Sequence, residues 1–549
     1  MHISKVHIEN FKIFKGSFDL SLNNGVNILV GNNEAGKSTI IEAIHLALTG
    51  LYNGRYLRNE LTQYVFNKEV VDEYIASLTT QNALPPPHIL IEIYMEGEYM
   101  DENFWGDLHT DRDKNTNARG FSLKIAFDEN FNSEYEELVK NGEIETLPIE
   151  YYTISWSSFA RDENITTKTI PIKSALIDSA SNKFQNGSDI YISRIVKDFL
   201  AKEDVVKVSQ AHRQMKDAFM KHNAISAIND KIKDASKISD KKVELSVELS
   251  SKNAWENSLI TCIEDIPFHN IGKGEQCIIK TKLALETKKS KEANIILLEE
   301  PENHLSHTKL NQLIRDITQD ENRQILISTH NSFVANKLGL GNLVLLNDKK
   351  ITRLSDLTND TFQFFRKLSG YDTLRLILCE KAILVEGDSD ELIVQKAYKV
   401  KYGKLPIEDG IDVISVGTSF LRFLEIAEKI QKQVVVVTDN DGNVEALKKK
   451  YENYLGDNAK DFIRICFDET VESGNLEKFN YNTLEPKMLK ANSRNIFNRI
   501  LGTSCSSDDE LHKYMKEKKT ECALKFFDTD EDFVFPQYIL DAINADEQQ

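Results

Sequence analysis

The chain has 549 residues, of which 41% are hydrophobic and 28% are charged, and its formal net charge is −18. This length exceeds what one ordinary hydrophobic core supports, so we expect two or three globular domains. The acidic balance excludes coating of nucleic acid by bulk charge attraction, but it is compatible with clustered carboxylates that hold divalent cations.

The sequence predicts neither a membrane-spanning segment nor a secretion signal, and its cysteines do not follow a metal-binding or disulfide pattern. No apolar run is long enough to cross a bilayer, and Met1–Lys5 begins an alternating pattern that lacks the apolar core of a secretion signal. The six cysteines are scattered without Cys-x-x-Cys spacing, which argues against a structural zinc site and a disulfide framework. We therefore expect a protein of the reducing cytoplasm without membrane attachment.

The first predicted elements are short alternating strands, followed by a buried strand at residues 26–30. This strand leads into a glycine loop at residues 31–39, and the loop leads into a segment with an apolar helical face. Strand, loop and helix in this order form the context that a phosphate-binding loop requires.

The loop matches the pattern Gly-x-x-x-x-Gly-Lys-Ser in full. Its glycines let backbone N–H groups point at phosphates, its lysine reaches the β- and γ-phosphates, and its serine hydroxyl ligates Mg²⁺. The sequence therefore predicts a site for ATP and Mg²⁺. Its expected contact residues are Asn32, Asn33, Gly36, Lys37, Ser38 and Thr39.

The segment after the first helix is predicted to contain further strands and then a polar insertion. Three consecutive prolines at residues 85–87 mark a surface break, and strands are predicted around residues 88–96, 121–127 and 150–155. Residues 173–250 are polar with a helical pattern, which predicts a helical insertion that serves as an arm or a dimerisation element.

Strand-like patterns return at residues 293–299 and 324–328. The first of them ends in paired acids, which places one carboxylate on Mg²⁺ and the next beside the attacking water. We assign the metal role to Glu299 and the catalytic role to Glu300. His330 follows the second strand, at the position where a histidine commonly senses the γ-phosphate.

The motif Ile271-Gly-Lys-Gly-Glu-Gln276 opens the helix before the acidic strand and is expected to contact nucleotide bound to a facing subunit. Together with the three preceding features it resembles the head domain of the ABC ATPases, in particular the RecF and SMC-like branch that handles DNA. The resemblance covers residues 1 to about 350. Members of that branch usually have serine where this chain has Gly272, so we expect secure ATP binding but slow hydrolysis.

The C-terminal part of the chain predicts a second α/β domain. A helix is predicted from about residue 360 to 378, and a mostly parallel sheet covered on both faces is predicted after it. Its strands are expected at residues 381–385, 411–416, 433–438 and 462–466. The predicted domains are a head at 1–172 and 251–355, the insertion at 173–250, and a C-terminal domain with a helical extension at 356–549.

Two of these strands lead into acidic motifs, Glu386-Gly-Asp388-Ser-Asp390 and Asp439-Asn-Asp441-Gly. Ligands of parallel sheets gather at the carboxyl ends of the strands. Such oxygen ligands suit Mg²⁺ or Mn²⁺, and two metals of this kind would clamp the attacking and leaving oxygens of a phosphodiester. Spacing does not decide whether Asp388 or Asp390 is the ligand.

The two motifs, in this order and each after an apolar strand, resemble the Toprim domain of topoisomerases, primases and some nucleases. The resemblance covers residues 380 to roughly 485 and implies a Rossmann-like fold. It also implies that Glu386 is a general acid or base as well as a metal ligand.

An ABC-type head followed by a Toprim domain resembles the OLD (overcoming lysogenization defect) nuclease family over nearly the full length. In that family, the motif at residues 483–486 would add Glu485 as a metal ligand. Residues 518–524 resemble the stretch that carries the family's essential lysine, which we match to Lys519 and which would stabilise charge on the scissile phosphate. Glu472 is a further candidate ligand.

This resemblance implies an ATP-binding, Mg²⁺- or Mn²⁺-dependent DNA endonuclease that defends bacteria against phage and whose cleavage is governed by nucleotide state. The implied partners are DNA, further copies of the chain in a homodimer or larger homo-oligomer, and a defence-system protein or nucleic acid. The alternative is a RecF- or SMC-like DNA-binding ATPase with a non-catalytic Toprim scaffold. A strand-passing topoisomerase is disfavoured because no tyrosine lies in a recognisable nucleophile motif.

Overall fold

A computed structural model describes most of the chain. It covers residues 1–32, 34–80, 82–97, 101–111, 117–142, 144–178, 184–185, 188–189, 200–235, 245, 261–286, 292–303, 305–318, 323–330, 340–347, 350–353, 357–367 and 371–544. Asn33, one of the predicted nucleotide contacts, lies outside these residues. Within these ranges, every helix is too short or too polar to traverse a lipid bilayer.

The described strands of four or more residues fall in three sheets. In chain order they are β1 (His2–Glu9), β2 (Ser17–Ser21), β3 (Val26–Gly31), β4 (Ile89–Glu96), β5 (Ala118–Phe127), β6 (Tyr152–Ser158), β7 (Ser174–Asp178), β8 (Ile295–Glu299), β9 (Gln324–Thr329), β10 (Leu343–Asn347), β11 (Lys350–Arg353), β12 (Lys381–Val385), β13 (Ile411–Ser415), β14 (Gln433–Val437) and β15 (Ile463–Cys466). Two-residue strands lie at Leu51–Tyr52, Arg55–Tyr56, Trp105–Gly106, Phe184–Gln185, Ser188–Asp189, Cys262–Ile263 and Ile266–Pro267.

The described α-helices follow or separate these strands. They are α1 (Lys37–Thr49), α2 (Lys68–Ser77), α3 (Asn132–Asn141), α4 (Lys202–Met220), α5 (Asn223–Ala235), α6 (Lys273–Glu286), α7 (His307–Thr318), α8 (Asn359–Lys367), α9 (Tyr371–Leu378), α10 (Asp388–Tyr402), α11 (Phe420–Ile430), α12 (Val444–Lys450), α13 (Leu484–Ala491), α14 (Arg494–Leu501), α15 (Asp508–Glu517), α16 (Lys519–Asp528) and α17 (Gln537–Ile543).

Two compact units divide the chain, one formed by residues 1–29 and 36–329 and the other by residues 30–35 and 330–549. The first sheet is antiparallel, with the order β2-β1-β4-β5 and with β6 also paired to β5. Its strand β2 alternates as a strand with one buried face does, since Phe18 and Leu20 are buried between exposed neighbours.

The second sheet has the strand order β7-β8-β9-β3-β10-β11 and carries the phosphate loop after β3. Strands β7, β8 and β9 pair in parallel, with Asp178 opposite Glu299 and Glu299 opposite Ser328. Strand β8 is buried from Ile295 to Leu298, as expected for a parallel strand covered on both faces.

Strand β7 corrects one prediction. Residues 173–250 were predicted to form a helical insertion, but Ser174–Asp178 is a strand that pairs in parallel with β8 and belongs to the second sheet. The three apolar residues at 175–177 are too few for periodicity to distinguish a strand from a helical segment. Helices α4 and α5 do occupy part of the predicted insertion.

The third sheet is parallel throughout and has the order β13-β12-β14-β15. Its four strands lie within one or two residues of the predicted ones. Helices α8 and α9 lie in the range where a helix was predicted at 360–378, and residues 368–370 lie outside the described part of the chain. Helices α10 and α13 to α17 contribute to one hydrophobic cluster that covers a face of this sheet, with Leu501, Leu511 and Met515 fully buried.

Candidate functional site

The phosphate loop depends on two glycines for its backbone path. Gly36 has φ 103°, and a Cβ atom there would lie 2.7 Å from Ile13 Cδ1 and 2.8 Å from Phe14 Cζ. A Cβ at Gly31 would lie 2.5 Å from the carbonyl oxygen of Leu346. Both contacts are closer than real Cβ atoms make, so these positions require glycine.

Lys37, Ser38 and Thr39 form the start of α1, where backbone N–H groups and the helix dipole favour an anion. The side chains of Lys37 and Thr39 are buried, whereas Ser38 is exposed. Burial lowers the pKa of Lys37, against the charges of Glu300 and Glu302, which raise it. The lysine is therefore held within the electrostatic reach of the acids that follow β8.

The acidic residues after β8 lie next to the end of β9. Glu299 is opposite Ser328 in the sheet, and the Glu300 N–H donates to the Ser328 carbonyl at 3.0 Å. Glu300 has φ 39°, a left-handed backbone, and its Oε2 accepts from Asn303 Nδ2 at 2.9 Å. This turn directs both predicted acids to the carboxyl end of the sheet, as a nucleotide site requires.

Sequence reasoning overlooked Glu302. Its side chain is 7% exposed, and Oε1 accepts a hydrogen bond from the Thr329 hydroxyl at 2.5 Å. A buried carboxylate that contributes to the charge around Lys37 belongs to the same site. The sequence feature that could have identified Glu302 is its position three residues after Glu299, the last residue of β8.

Two further residues that the sequence singled out, His330 and Gly272, lie next to a strand end and a helix start. His330 is exposed and directly follows β9. Gly272 precedes α6, its carbonyl accepts from Gln276 N at 3.0 Å, and a Cβ atom there would meet nothing within 4 Å. A serine would therefore fit at Gly272, so the missing hydroxyl is a chemical difference and not a steric one.

The Toprim-like motifs lie at the carboxyl edge of the third sheet. Strands β12 and β14 are adjacent and parallel, so Glu386 after β12 and Asp439 after β14 are brought to the same edge. Asp390 lies in the first turn of α10, where its Oδ2 accepts from the Gly387 N–H at 3.2 Å. Asp441 has φ 48°, which turns the chain back immediately after the strand.

The acids at this sheet edge alter one another's pKa values. The pKa of Asp390 is raised to about 7, first by burial and then by the charges of Glu485 and Glu386. Burial raises the pKa of Asp439 well above its usual value, and Asp390, Glu386, Glu485 and Asp441 add to the effect. Burial also raises the pKa of Glu386. Clustered carboxylates with mutually raised pKa values mark a functional site or a cation site.

These interactions distinguish Asp388 from Asp390 as the candidate metal ligand. Asp388 is exposed, whereas Asp390 is partly buried and interacts electrostatically with Glu386, Asp439 and Glu485. The arrangement favours Asp390 as the member of the cluster.

Glu485 and Lys519 are brought together from two helices. Glu485, in the first turn of α13, is 7% exposed, and its Oε2 lies 3.2 Å from Nζ of Lys519, the first residue of α16. Burial lowers the pKa of Lys519, but Glu485, Asp390 and Asp439 outweigh this effect and leave it raised. The cation is thereby kept charged beside the acidic cluster.

Glu472 lies in a different environment. It pairs with Lys490, and this contact lowers the pKa of Glu472. Lys487 and Lys490 of α13 both lie within ion-pair distance of its carboxylate, and its role as a metal ligand stays a prediction.

A divalent cation fits the donor set of this cluster. Where the structure describes side chains, no three acidic, imidazole or thiolate groups already converge on a common metal position. However, Glu386, Asp390, Asp439 and Glu485 interact electrostatically with Lys519, and Glu485 Oε1 is buried with no hydrogen-bond partner in the described part of the chain. Hard oxygen ligands of this kind suit Mg²⁺ or Mn²⁺.

Two family models match separate parts of the chain. Residues 1–335 match the family model described as AAA ATPase domain, and residues 377–441 match the model described as overcoming lysogenization defect protein-like, TOPRIM domain. No curated protein matches the chain.

Several solved structures share distant similarity. The SMC head bound to the C-terminal winged-helix domain of ScpA is 15% identical, with 65% of this chain and 99% of that chain covered and a TM-score of 0.32. The SMC head domain from Thermotoga maritima is 13% identical, with coverage of 64% and 99% and a TM-score of 0.29. The Pyrococcus furiosus SMC head with an extended coiled coil, bound to the C-terminal domain of ScpA, is 14% identical, with coverage of 67% and 100% and a TM-score of 0.32.

Proposed function

The chain belongs to the AAA ATPase domain family and has the ATPase–Toprim architecture of the overcoming lysogenization defect proteins, and from this premise we propose that it is an ATP-binding, divalent-metal-dependent DNA endonuclease. One observation carries the proposal. At the carboxyl edge of the third sheet, buried acids raise one another's pKa values beside the lysine of α16. Such a cluster suits phosphodiester hydrolysis better than a purely structural role.

The Toprim acids are proposed as the metal site. The proposed ligands are Glu386, Asp390, Asp439, Asp441 and Glu485. When bound, Mg²⁺ or Mn²⁺ would supply stabilisation of the attacking and leaving oxygens of the phosphodiester.

Two residues of this domain have proposed roles in the reaction itself. Glu386, whose pKa is raised by burial and by Asp441, would exchange a proton with the attacking water or the leaving oxygen. Lys519 would offset negative charge on the scissile phosphate, since its raised pKa keeps it protonated.

We propose that the phosphate loop binds the nucleotide that controls DNA cleavage. Lys37 and the N–H groups at the start of α1 would hold the phosphates of ATP, and Ser38 with Glu299 would hold its Mg²⁺. Glu300 would position the attacking water, and His330 would contact the γ-phosphate. Because Gly272 lacks a hydroxyl, we propose that hydrolysis is slow and that bound nucleotide governs DNA cleavage.

The proposed setting follows the OLD family. It is antiphage defence in the bacterial cytoplasm, with DNA as substrate and with a homodimer or larger homo-oligomer as the active form. The motif at residues 271–276 supports an oligomer, since in ABC-type heads it contacts nucleotide on a facing subunit. A defence-system protein or nucleic acid is the further proposed partner.

Cleavage of plasmid DNA in the presence of Mn²⁺ or Mg²⁺ tests the proposal. The double variant Asp439→Asn with Asp441→Asn is expected to lose at least 100-fold in rate. Asp388→Asn, an exposed acid of the neighbouring motif, is the matched control and should cleave within about twofold of the parent.

The outcome separates the two candidate functions. Equal cleavage by the parent and the double variant would overturn the metal-site assignment. A parent that binds DNA and hydrolyses ATP without cutting DNA would instead support the DNA-binding ATPase with a Toprim scaffold.

A further inference from the structure

Lys487 is a buried cation with no role in the proposed reaction. Its side chain is 3% exposed, and Nζ donates to the Thr470 carbonyl at 2.7 Å and to the Thr470 hydroxyl at 3.3 Å. It also pairs with Asp468 Oδ2 at 2.7 Å. Burying an ammonium group costs several kcal/mol unless its hydrogens are satisfied. Lys487 is therefore committed to the loop that carries Asp468 and Thr470.

Asn440 also donates hydrogen bonds to this loop. It lies between Asp439 and Asp441, is 3% exposed, and its Nδ2 donates to the carbonyls of Asp468 at 2.5 Å and Thr470 at 2.8 Å. Its Oδ1 accepts from the N–H of Gly442, at 3.0 Å. Both donors of the amide and its oxygen are thus used by the backbone of this chain.

The loop itself runs from residue 467 to 483, between β15 and α13, without helix or strand of its own. Loops of this length inside a compact domain are uncommon and are usually functional. The Thr470 carbonyl accepts from both Asn440 and Lys487, so one stretch of loop joins the Asp439–Asp441 turn to α13.

Direct contacts reinforce this connection. The N–H of Leu484, the first residue of α13, donates to Asp439 Oδ2 at 3.2 Å. Asn480 Nδ2, near the end of the loop, donates to Asp441 Oδ1 at 2.8 Å. Glu485 follows Leu484 in the same turn of α13, so the position of the helix sets the position of its carboxylate.

We propose that Lys487 and Asn440 are positioning residues that hold α13 and the Asp439–Asp441 turn at the separation needed to bind one divalent-metal centre. The reason for such a clamp is electrostatic. Glu485 and Asp439 repel each other, and this repulsion opposes the Lys519–Glu485 ion pair and the hydrogen bond from the Leu484 N–H to Asp439 Oδ2. The neutral amide and the internally paired ammonium oppose this repulsion without adding net charge to the site. The inference rests on the proposed metal site.

Titration of the full chain with Mn²⁺, followed by electron paramagnetic resonance, tests the inference without any cleavage assay. It is done without nucleotide and without DNA, so that the phosphate loop does not contribute a second site. Lys487→Met and Asn440→Ala are each expected to weaken Mn²⁺ binding by about tenfold or more at unchanged stoichiometry. Lys490→Met is the matched control, since Lys490 lies on the same helix and pairs with Glu472 but is exposed. It should bind Mn²⁺ within about twofold of the parent.

A merely structural role has a different signature. It predicts fewer Mn²⁺ sites per chain with an unchanged dissociation constant, because only the folded fraction binds. Near-UV circular dichroism gives that fraction, and if Lys487→Met does not fold, the titration of Asn440→Ala decides. Wild-type affinity in the folded variants overturns the inference. A parent that binds no Mn²⁺ overturns the proposed metal site itself, which separates the two failures.

Discussion

At the scale of single residues, buried charge is concentrated in a few places, and each place has a different consequence. In the Toprim domain the acids raise one another's pKa values around Lys519. In the antiparallel sheet, by contrast, acids surround His7, and the result is mutual stabilisation. The pKa values of Glu386, Asp390 and Asp439 are raised, whereas hydrogen bonding to the His7 imidazole lowers those of Glu9 and Asp19.

Lys519 provides the sharpest residue-scale prediction for the reaction. Replacing it by methionine is expected to reduce the rate of plasmid cleavage by about 100-fold or more, because the charge beside the scissile phosphate is removed. Lys518→Met is the control, since Lys518 is equally exposed and is also ion-paired, but with Glu521. Single-turnover cleavage measures both. A similar loss in the two variants would contradict a specific role for Lys519.

His7 leads to a prediction for stability against pH. Burial lowers its pKa, but Asp19 and Glu9, each 3.0 Å away, and Glu92 outweigh burial and raise the pKa to about 9. A folded-state pKa above the ordinary 6.5 means that protonation favours the fold. The contribution is complete below about pH 6.5, is lost as pH rises through about 9, and amounts to at most about 3 kcal/mol.

Urea unfolding of the parent and of His7→Gln at pH 6 and pH 10 checks this sign. The variant should be clearly less stable at pH 6, and the difference should shrink at pH 10. A difference that stays constant or grows with pH would show that the charge of His7 is not the stabilising factor.

At the scale of elements, the loops that follow strands carry the chemistry, and glycine determines their shape. Gly36 precedes α1 with a left-handed backbone and packs against Ile13 and Phe14. Gly272 precedes α6 and adjoins open space. The two glycines therefore have different tolerance for a side chain.

Gly36→Ala is expected to weaken ATP binding by about tenfold or more. The left-handed backbone costs alanine about 1–2 kcal/mol, and the new Cβ atom would also clash with Ile13 and Phe14. Fluorescent-nucleotide titration measures the affinity, and thermal unfolding should show a lower midpoint. Gly25→Ala is the control, since Gly25 lies outside the proposed nucleotide contacts and a Cβ atom there would meet nothing within 4 Å, so both quantities should be nearly unchanged. Equal effects at the two positions would refute the steric argument.

At the scale of the whole molecule, one chain combines a domain of the AAA ATPase family with an OLD-like Toprim domain. We propose that the first domain binds ATP at the phosphate loop and that the second cleaves DNA at the carboxylate cluster. This combination would distinguish a nuclease controlled by nucleotide from a plain ATPase.

Lys37→Ala tests that dependence. The variant should lose ATP binding, because Lys37 is the cation that reaches the β- and γ-phosphates. Its DNA cleavage rate should then be the same without nucleotide, with ATP and with a non-hydrolysable analogue, whereas the parent's rate should change between these conditions. A parent whose rate ignores nucleotide would refute control by ATP.

The sequence by itself determined the features that are local in the chain. Residues 31–39 form a phosphate loop because glycines, lysine and serine at fixed spacing fix the backbone path and the chemistry together. The parallel strands β12 and β14 were predictable because continuous apolar runs ended in acids. Their meeting at one sheet edge followed from the rule for parallel sheets.

Only the tertiary structure decided the features that depend on distant partners. Strand β7 belongs to the sheet because it pairs with β8, more than 100 residues away, and a short apolar run carries no such information. The pairing of Glu472 with Lys490, 18 residues further along the chain, was likewise set by the fold. Sequence spacing did not distinguish Asn440 and Lys487 from other polar residues, and only the fold shows that both donate hydrogen bonds to the Thr470 carbonyl. Spacing along a chain specifies which groups are available, whereas burial and pairing specify what they do.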